Sequence, residues 1–316
     1  MGLGQLHFGF YGVTMTWLTP LWTVAVGAAA VLGILALLVV LLRAVAPKIA
    51  AIATTSVKEA THQPLFYLLA GIGVFALFIL TFVAYNTFGE DLKMFMANGL
   101  ELIKVLGVIL ALWISSVSIS EEIEGRTALT LLSKPISRRQ LIFGKFLGIL
   151  FSVAILFVIL GTMFLATVSY KVNYDSRENS AAEPTSAECL DKIALAAPGL
   201  ALSFMETVVL ASISVAISTR LPIVPNLVIC GSIYALGNLV PVIVARTADR
   251  FPIVNFAGQL FAAIFPMVDY FNMESAISND KTVPLEYMGA TLLYCVLYST
   301  MAMLLALLLF EDRDVA

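Results

Sequence analysis

Seven stretches of the chain are each apolar for about the length of one bilayer crossing, and this constrains the fold more than any other feature. A helix rises about 1.5 Å per residue and the hydrocarbon layer is about 30 Å thick, so about 20 apolar residues make one crossing. The stretches are roughly 21–42, 65–85, 99–119, 143–168, 193–218, 221–245 and 288–310. Each is expected to be a helix, because an open strand would leave backbone N–H and C=O groups unpaired in lipid. Composition supports this: of 316 residues, 60% are hydrophobic and 12% charged, about half the charged share of a soluble domain. So few polar residues cannot coat a soluble fold of this size. The expected fold class is therefore an all-α polytopic membrane protein in one transmembrane domain. An eighth stretch, 252–267, is shorter and interrupted by Pro266, and reads as an interfacial or re-entrant helix.

Lys and Arg set the orientation. Residues 120–145 hold Arg126, Lys134, Arg138, Arg139 and Lys145, and residues 43–64 hold Arg43, Lys48 and Lys58. The loop at 86–98 has only Lys93, beside Glu90 and Asp91, and the loop at 171–192 is acidic on balance. The two basic segments lie two crossings apart, so they share one side, the cytoplasmic one. This predicts an N-terminus outside and a C-terminus, 311–316, inside. No Lys or Arg precedes Arg43, so the first stretch reads as a crossing and not as a secretory leader. Pro20 starts it, with Trp17 and Trp22 near headgroup level. Residues 49–62 are weakly amphipathic, which suits a helix lying along the inner membrane surface; the alternative is a plain linker.

Several function classes lack the residues they need. Cys189, Cys230 and Cys295 have no metal-site or disulfide-framework spacing. His7 and His62 fall on opposite sides of the membrane in this topology, so no metal site is expected. No catalytic triad or carboxylate pair is evident, no cofactor is implied, and no basic run suggests nucleic acid. Gly144-Lys145 lacks the upstream Gly and downstream Ser or Thr of a phosphate-binding loop, since Arg139 and Phe146 stand in those places. It is the only Gly-Lys pair. ATP hydrolysis, if it drives this protein, would have to occur on a separate subunit.

The most informative stretch is 118–148, SISEEIEGRTALTLLSKPISRRQLIFGKFLG. Ser118 and Glu121 have capping-box spacing, which predicts a new helix starting at the membrane exit and stopping before Pro135. Ser137 and Gln140 repeat the spacing and start the helix that re-enters. A short charged helix, about 120–134, would then be held between two crossings on the cytoplasmic face.

These residues resemble the central motif of ABC-2-type transporter permeases: Glu-Glu-x-Glu-x-Arg-Thr, then Leu-Leu-Ser-Lys-Pro-Ile-Ser-Arg, then Phe-Gly-Lys. The closing segment is similar too, in Phe265-Pro266, Tyr270-Phe271-Asn272 and the terminal FEDRD, where Glu311 and Asp312 depart from the more basic pattern of the family. The resemblance implies that the acidic–Arg–Thr stretch is a coupling helix contacting an ABC ATPase. The contact residues it implies are Glu121, Glu122, Glu124, Arg126, Thr127, Leu131, Leu132, Ser133, Pro135 and Arg138. It implies a six-helix permease core over about 56–314, with residues 21–42 as an extra N-terminal helix. It further implies a separate ATPase subunit, a homodimer or heterodimer of permease chains, a place in the cell inner (plasma) membrane, and export of a substrate that the sequence does not name. Two other readings are an ATPase-independent secondary transporter or channel, and a non-transporting membrane anchor.

Glu206 is the acidic residue near the middle of a predicted crossing. A carboxylate there is costly and marks either a substrate path or a group bonded to a neighbouring helix. Glu101 and Lys104 have i,i+3 spacing and are expected to pair and reach the interface. Gly71 and Gly73 read as helix-packing contacts, and Pro241 as a kink.

Overall fold

The computed structural model describes residues 16–83, 85, 90–124, 137–179, 182–247, 256, 258, 260 and 265–311; of 120–124, 241, 242, 245–247 and 311 it describes the backbone alone. Among these residues, seven helices are long and apolar enough to cross a membrane. In chain order the helices are α1 (Leu21–Val45), α2 (Pro47–His62), α3 (Pro64–Phe82), α4 (Asp91–Glu124), α5 (Arg138–Glu178), α6 (Ser186–Ser218), α7 (Ile223–Thr247), the short α8 (Glu274–Ser278) and α9 (Leu285–Glu311). A 3₁₀ turn, Val268–Phe271, precedes α8. Pro47 and Pro64 stand where a missing N–H is harmless, opening α2 and α3. Pro198 lies within α6, and the helix assignment of α7 runs through Pro241. Most of the 252–267 stretch lies outside the described residues.

The expected helix start at Ser118 is not there. α4 is unbroken for 34 residues to Glu124, because no Gly or Pro falls between Asn98 and Gly125 except the packed Gly99 and Gly107. Ser118 sits inside the helix, and its Oγ is buried without a hydrogen-bond partner among the described residues. The second capping box forms as expected: the Gln140 N–H donates to Ser137 Oγ, and the Ser137 N–H to Gln140 Oε1 at 3.1 Å. From there α5 runs 41 residues, about 60 Å at 1.5 Å per residue, twice the hydrocarbon thickness.

α4, α5 and α6 pack on one another and form the core, with α3, α7 and α9 around them and α1 and α2 against α5. Residues 49–62 are helical, as the amphipathic pattern suggested, but α2 is docked on protein as well. Its small residues Ala50, Ala53, Ser56 and Ala60 are buried. Ala53 and Ser56 face Gly148 of α5, where a Cβ would come within 2.5 Å of Ser56 Cβ, and at Gly144 a Cβ would come within 2.7 Å of Ile52 Cβ. Gly144 and Gly148 form a Gly-x-x-x-Gly pair that lets α2 approach the α5 backbone. Lys145 between them reaches Glu59 Oε2 at 3.4 Å. At the other end of α5, Trp17, Phe82, Tyr170 and Tyr174 form an edge-to-face cluster. Gly73 packs against Leu106 and Leu160, whereas Gly71 has open space beside it.

Candidate functional site

A charged cluster lies between α4, α6 and α7, with Lys104 and Glu206 buried and Glu101 exposed. α4 supplies Glu101 and Lys104 one turn apart, α6 supplies Glu206 and α7 supplies Tyr234. Lys104 Nζ stands 2.5 Å from Glu101 Oε2 and 3.6 Å from Glu206 Oε2. Tyr234 donates its hydroxyl to Glu101 Oε1 at 3.0 Å. Glu206 is 1% exposed, and neither of its oxygens has a hydrogen-bond partner among the described residues. The i,i+3 pair is therefore formed as expected, but Lys104 does not reach outward to an interface. It is 6% exposed and turned to the neighbouring helix, because an uncompensated Glu206 in an apolar bundle would be costly. Glu206 is thus paired to another helix, and its partner Lys104 lines a cavity.

That cavity holds about 450 Å³ and is walled by α4, α6, α7 and the segment 271–277; its polar lining includes Asn98, Glu101, Lys104, Ser203, Tyr234 and Asn238. The segment that closes it is tied down by Asp280, which meets Lys192 of α6 at 2.7 Å and Lys93 of α4 at 3.1 Å. Lys93 also donates to the Ser278 carbonyl at 3.0 Å. The hydrogen bond from Lys192, joined by that from Lys93, holds the Asp280 carboxyl below the usual aspartate range against the opposing effect of partial burial.

Toward the other end of the same three helices lies a neutral polar cluster that the sequence reading missed. Asn226 of α7 is fully buried and donates through Nδ2 to Ser116 Oγ at 2.8 Å and Ser214 Oγ at 3.0 Å. Ser115 and Ser214 are also hydrogen-bonded, and Cys230 donates to Asn226 Oδ1 at 3.2 Å. An Asn near the start of an apolar crossing was the available signal. All three cysteines are free and buried. No group of His, Cys, Asp and Glu able to hold a metal occurs among the described residues.

The residues assigned to ATPase contact are placed unevenly. Glu121, Glu122 and Glu124 lie on the last turns of α4, with only their backbone described. Arg126, Thr127, Leu131, Leu132, Ser133 and Pro135 lie outside the described residues, so most of the expected 120–134 helix does too. Arg138 opens α5 and turns back on α9: Nη1 donates to the Phe310 carbonyl at 3.4 Å, and the guanidinium lies 5.7 Å from the Phe310 ring centre. One end of the bundle thus gathers the exit of α4, the entry of α5 and the end of α9.

The family model described as "ABC-2 family transporter protein" matches residues 22–315. The match takes in α1 and every other described helix. No curated protein matches the chain. A helical bundle with seven membrane-length helices among its described residues, matched over nearly its whole length, belongs to the ABC-2 transporter family as the membrane permease of an ABC transporter.

Proposed function

We propose that the chain is the membrane-spanning subunit of an ABC exporter in the cell inner (plasma) membrane. ATP is hydrolysed on a separate ATPase subunit that docks at residues 120–138, on the cytoplasmic side with the C-terminus, while the N-terminus lies outside. Two permease chains pair, each with one ATPase. The observation that carries this reading is the continuity of α4. One rigid helix holds Glu121, Glu122 and Glu124 at one end and, several turns away, Glu101 and Lys104 beside the cavity. A push on the exit of α4 moves the Lys104–Glu206 contact without a hinge between them. Lys145, in the only Gly-Lys pair, is pinned to Glu59 inside the α2–α5 contact, which fits an ATP site on another chain.

The test is co-purification with the candidate ATPase. Glu122→Arg and Arg126→Glu are expected to weaken the association about ten-fold or more, as charge reversals at a docking face do. Undiminished association of both would sink the docking site. A second reading, transport without an ATPase, is favoured by the Lys104–Glu206 pair beside a cavity. ATP-independent flux in liposomes that disappears in Glu206→Gln would replace the first reading with the second.

A further inference from the structure

α1 and α2 are joined through Ala46 alone, so the chain folds back sharply, and α2 then docks on α5 through the Gly144–Gly148 face. This leaves α1 standing off from the pair. The gap between the three helices is a groove of about 340 Å³, walled by Leu35 and Val39 of α1, Ala53 and Val57 of α2, and Phe151 and Ile155 of α5. No carboxylate lines it. Its lining is completed by two cations, Arg43 in the last turn of α1 and Lys58 on α2.

Those two cations are unlike the lysines elsewhere in the bundle. Lys93, Lys104, Lys145, Lys171 and Lys192 each have a carboxylate oxygen within 3.4 Å. Arg43 and Lys58 are exposed and form no ion pair among the described residues. Glu59, beside Lys58 in sequence, is turned toward Lys145 instead. An apolar slot of this size does not stay empty in a membrane, because its walls would lose their dispersion contacts. Lipid tails fill such a slot, and the two cations in its lining, one of them in the last turn of a crossing, attract a phosphate.

We propose that this groove is a binding site for one anionic phospholipid, with an acyl chain between α1, α2 and α5 and the headgroup phosphate on Arg43 and Lys58. The lipid would occupy the leaflet that α2 faces and would complete the packing of α1, the least buried of the membrane-length helices. The site does not depend on any partner subunit.

The test is native mass spectrometry of the purified full chain after detergent exchange, titrated with phosphatidylglycerol or phosphatidylcholine. The expected result is one phosphatidylglycerol retained in preference to phosphatidylcholine. Arg43→Gln with Lys58→Gln should reduce that preference roughly 25-fold, at about five-fold per cation. Lys281→Gln, an exposed cation outside the groove, should leave the preference unchanged. Leu35→Trp, which fills the slot with both cations intact, should remove the retained lipid of either kind. Equal retention of the two lipids by the unmodified chain would overturn the proposal. So would a preference that survives the double substitution, or one that falls equally in Lys281→Gln.

Discussion

α1 and α4 are both apolar crossings, yet they use their apolar residues in opposite ways. The most apolar stretch of α1 has a mean hydropathy of 2.9 and is 6% buried; that of α4 has a mean hydropathy of 2.2 and is 72% buried. In water the order would be reversed, since the more apolar helix would be driven inside. In a bilayer, lipid tails satisfy a leucine as well as protein does, so hydrophobicity no longer selects what lies in the middle. What selects α4, α5 and α6 is what lipid cannot satisfy: Lys104, Lys171, Glu206 and the run of buried serines. α1 carries none of these between Thr23 and Arg43, and it faces the lipid.

That contrast can be broken most forcefully at Lys104. Lys104→Met leaves Glu206 buried without a counter-charge and should cost about 3–5 kcal/mol, read as a lower thermal unfolding midpoint in detergent. Lys104→Met with Glu206→Gln should recover most of it. A single variant as stable as the unmodified protein would show that the pair is not a packing determinant.

Matched truncations sharpen the comparison next. Leu110 on α4 is fully buried and Leu37 on α1 is 66% exposed. Leu110→Ala should cost about 2–5 kcal/mol through the cavity it leaves, whereas Leu37→Ala should stay within about 0.5 kcal/mol. Equal losses at the two sites would mean that α1 is buried against another chain in the membrane.

Glycine provides a third pair. A side chain at Gly148 meets Ser56 and the Ala53 carbonyl, while one at Gly27 meets nothing within 4 Å. Gly148→Leu should therefore cost about 1–3 kcal/mol or more and loosen α2. Gly27→Leu should be close to neutral, and protease accessibility of α2 distinguishes them. Asn226→Leu should cost about 1 kcal/mol, since hydrogen bonds between crossings are individually modest; a double-mutant cycle with Ser116→Ala measures the coupling.

The smallest effect lies outside the crossings. The Asp280 carboxyl has a lowered pKa, so its contribution is present above the ordinary aspartate value of about 3.9 and is lost as pH falls through its lower folded value. Protection from hydrogen exchange at 274–281, relative to the intrinsic rate at each pH, should fall below about pH 4 and not change between about pH 5 and 8. Asp280→Asn should make protection there low at both. An identical exchange rate in Asp280→Asn would show that the two lysines do not hold the segment.

The candidate site was only half legible in the sequence. Glu101 and Lys104 announced themselves by spacing, and Glu206 by its place in an apolar run. Their meeting could not be read, because it depends on α4 and α6 lying side by side at one depth, and nothing in either helix alone encodes that neighbour. The break expected at Ser118 failed for a local reason. A Ser followed three residues later by Glu is compatible with a helix interior as well as with a helix start, and no breaker precedes Gly125. At Ser137 the same spacing follows Pro135, and there the cap forms.

Sequence by itself determined the number, order and approximate limits of the membrane-length helices, since backbone pairing in hydrocarbon allows little else. It also carried the family likeness, through the charged stretch after α4. Tertiary structure decided which crossings are buried and which face lipid, that Lys104 serves two carboxylates, and that α2 docks on Gly144 and Gly148. The physical reason is the same for all three. Hydropathy measures transfer out of water, and lipid and protein interior are nearly equal destinations, so only close packing and paired polar groups can distinguish them.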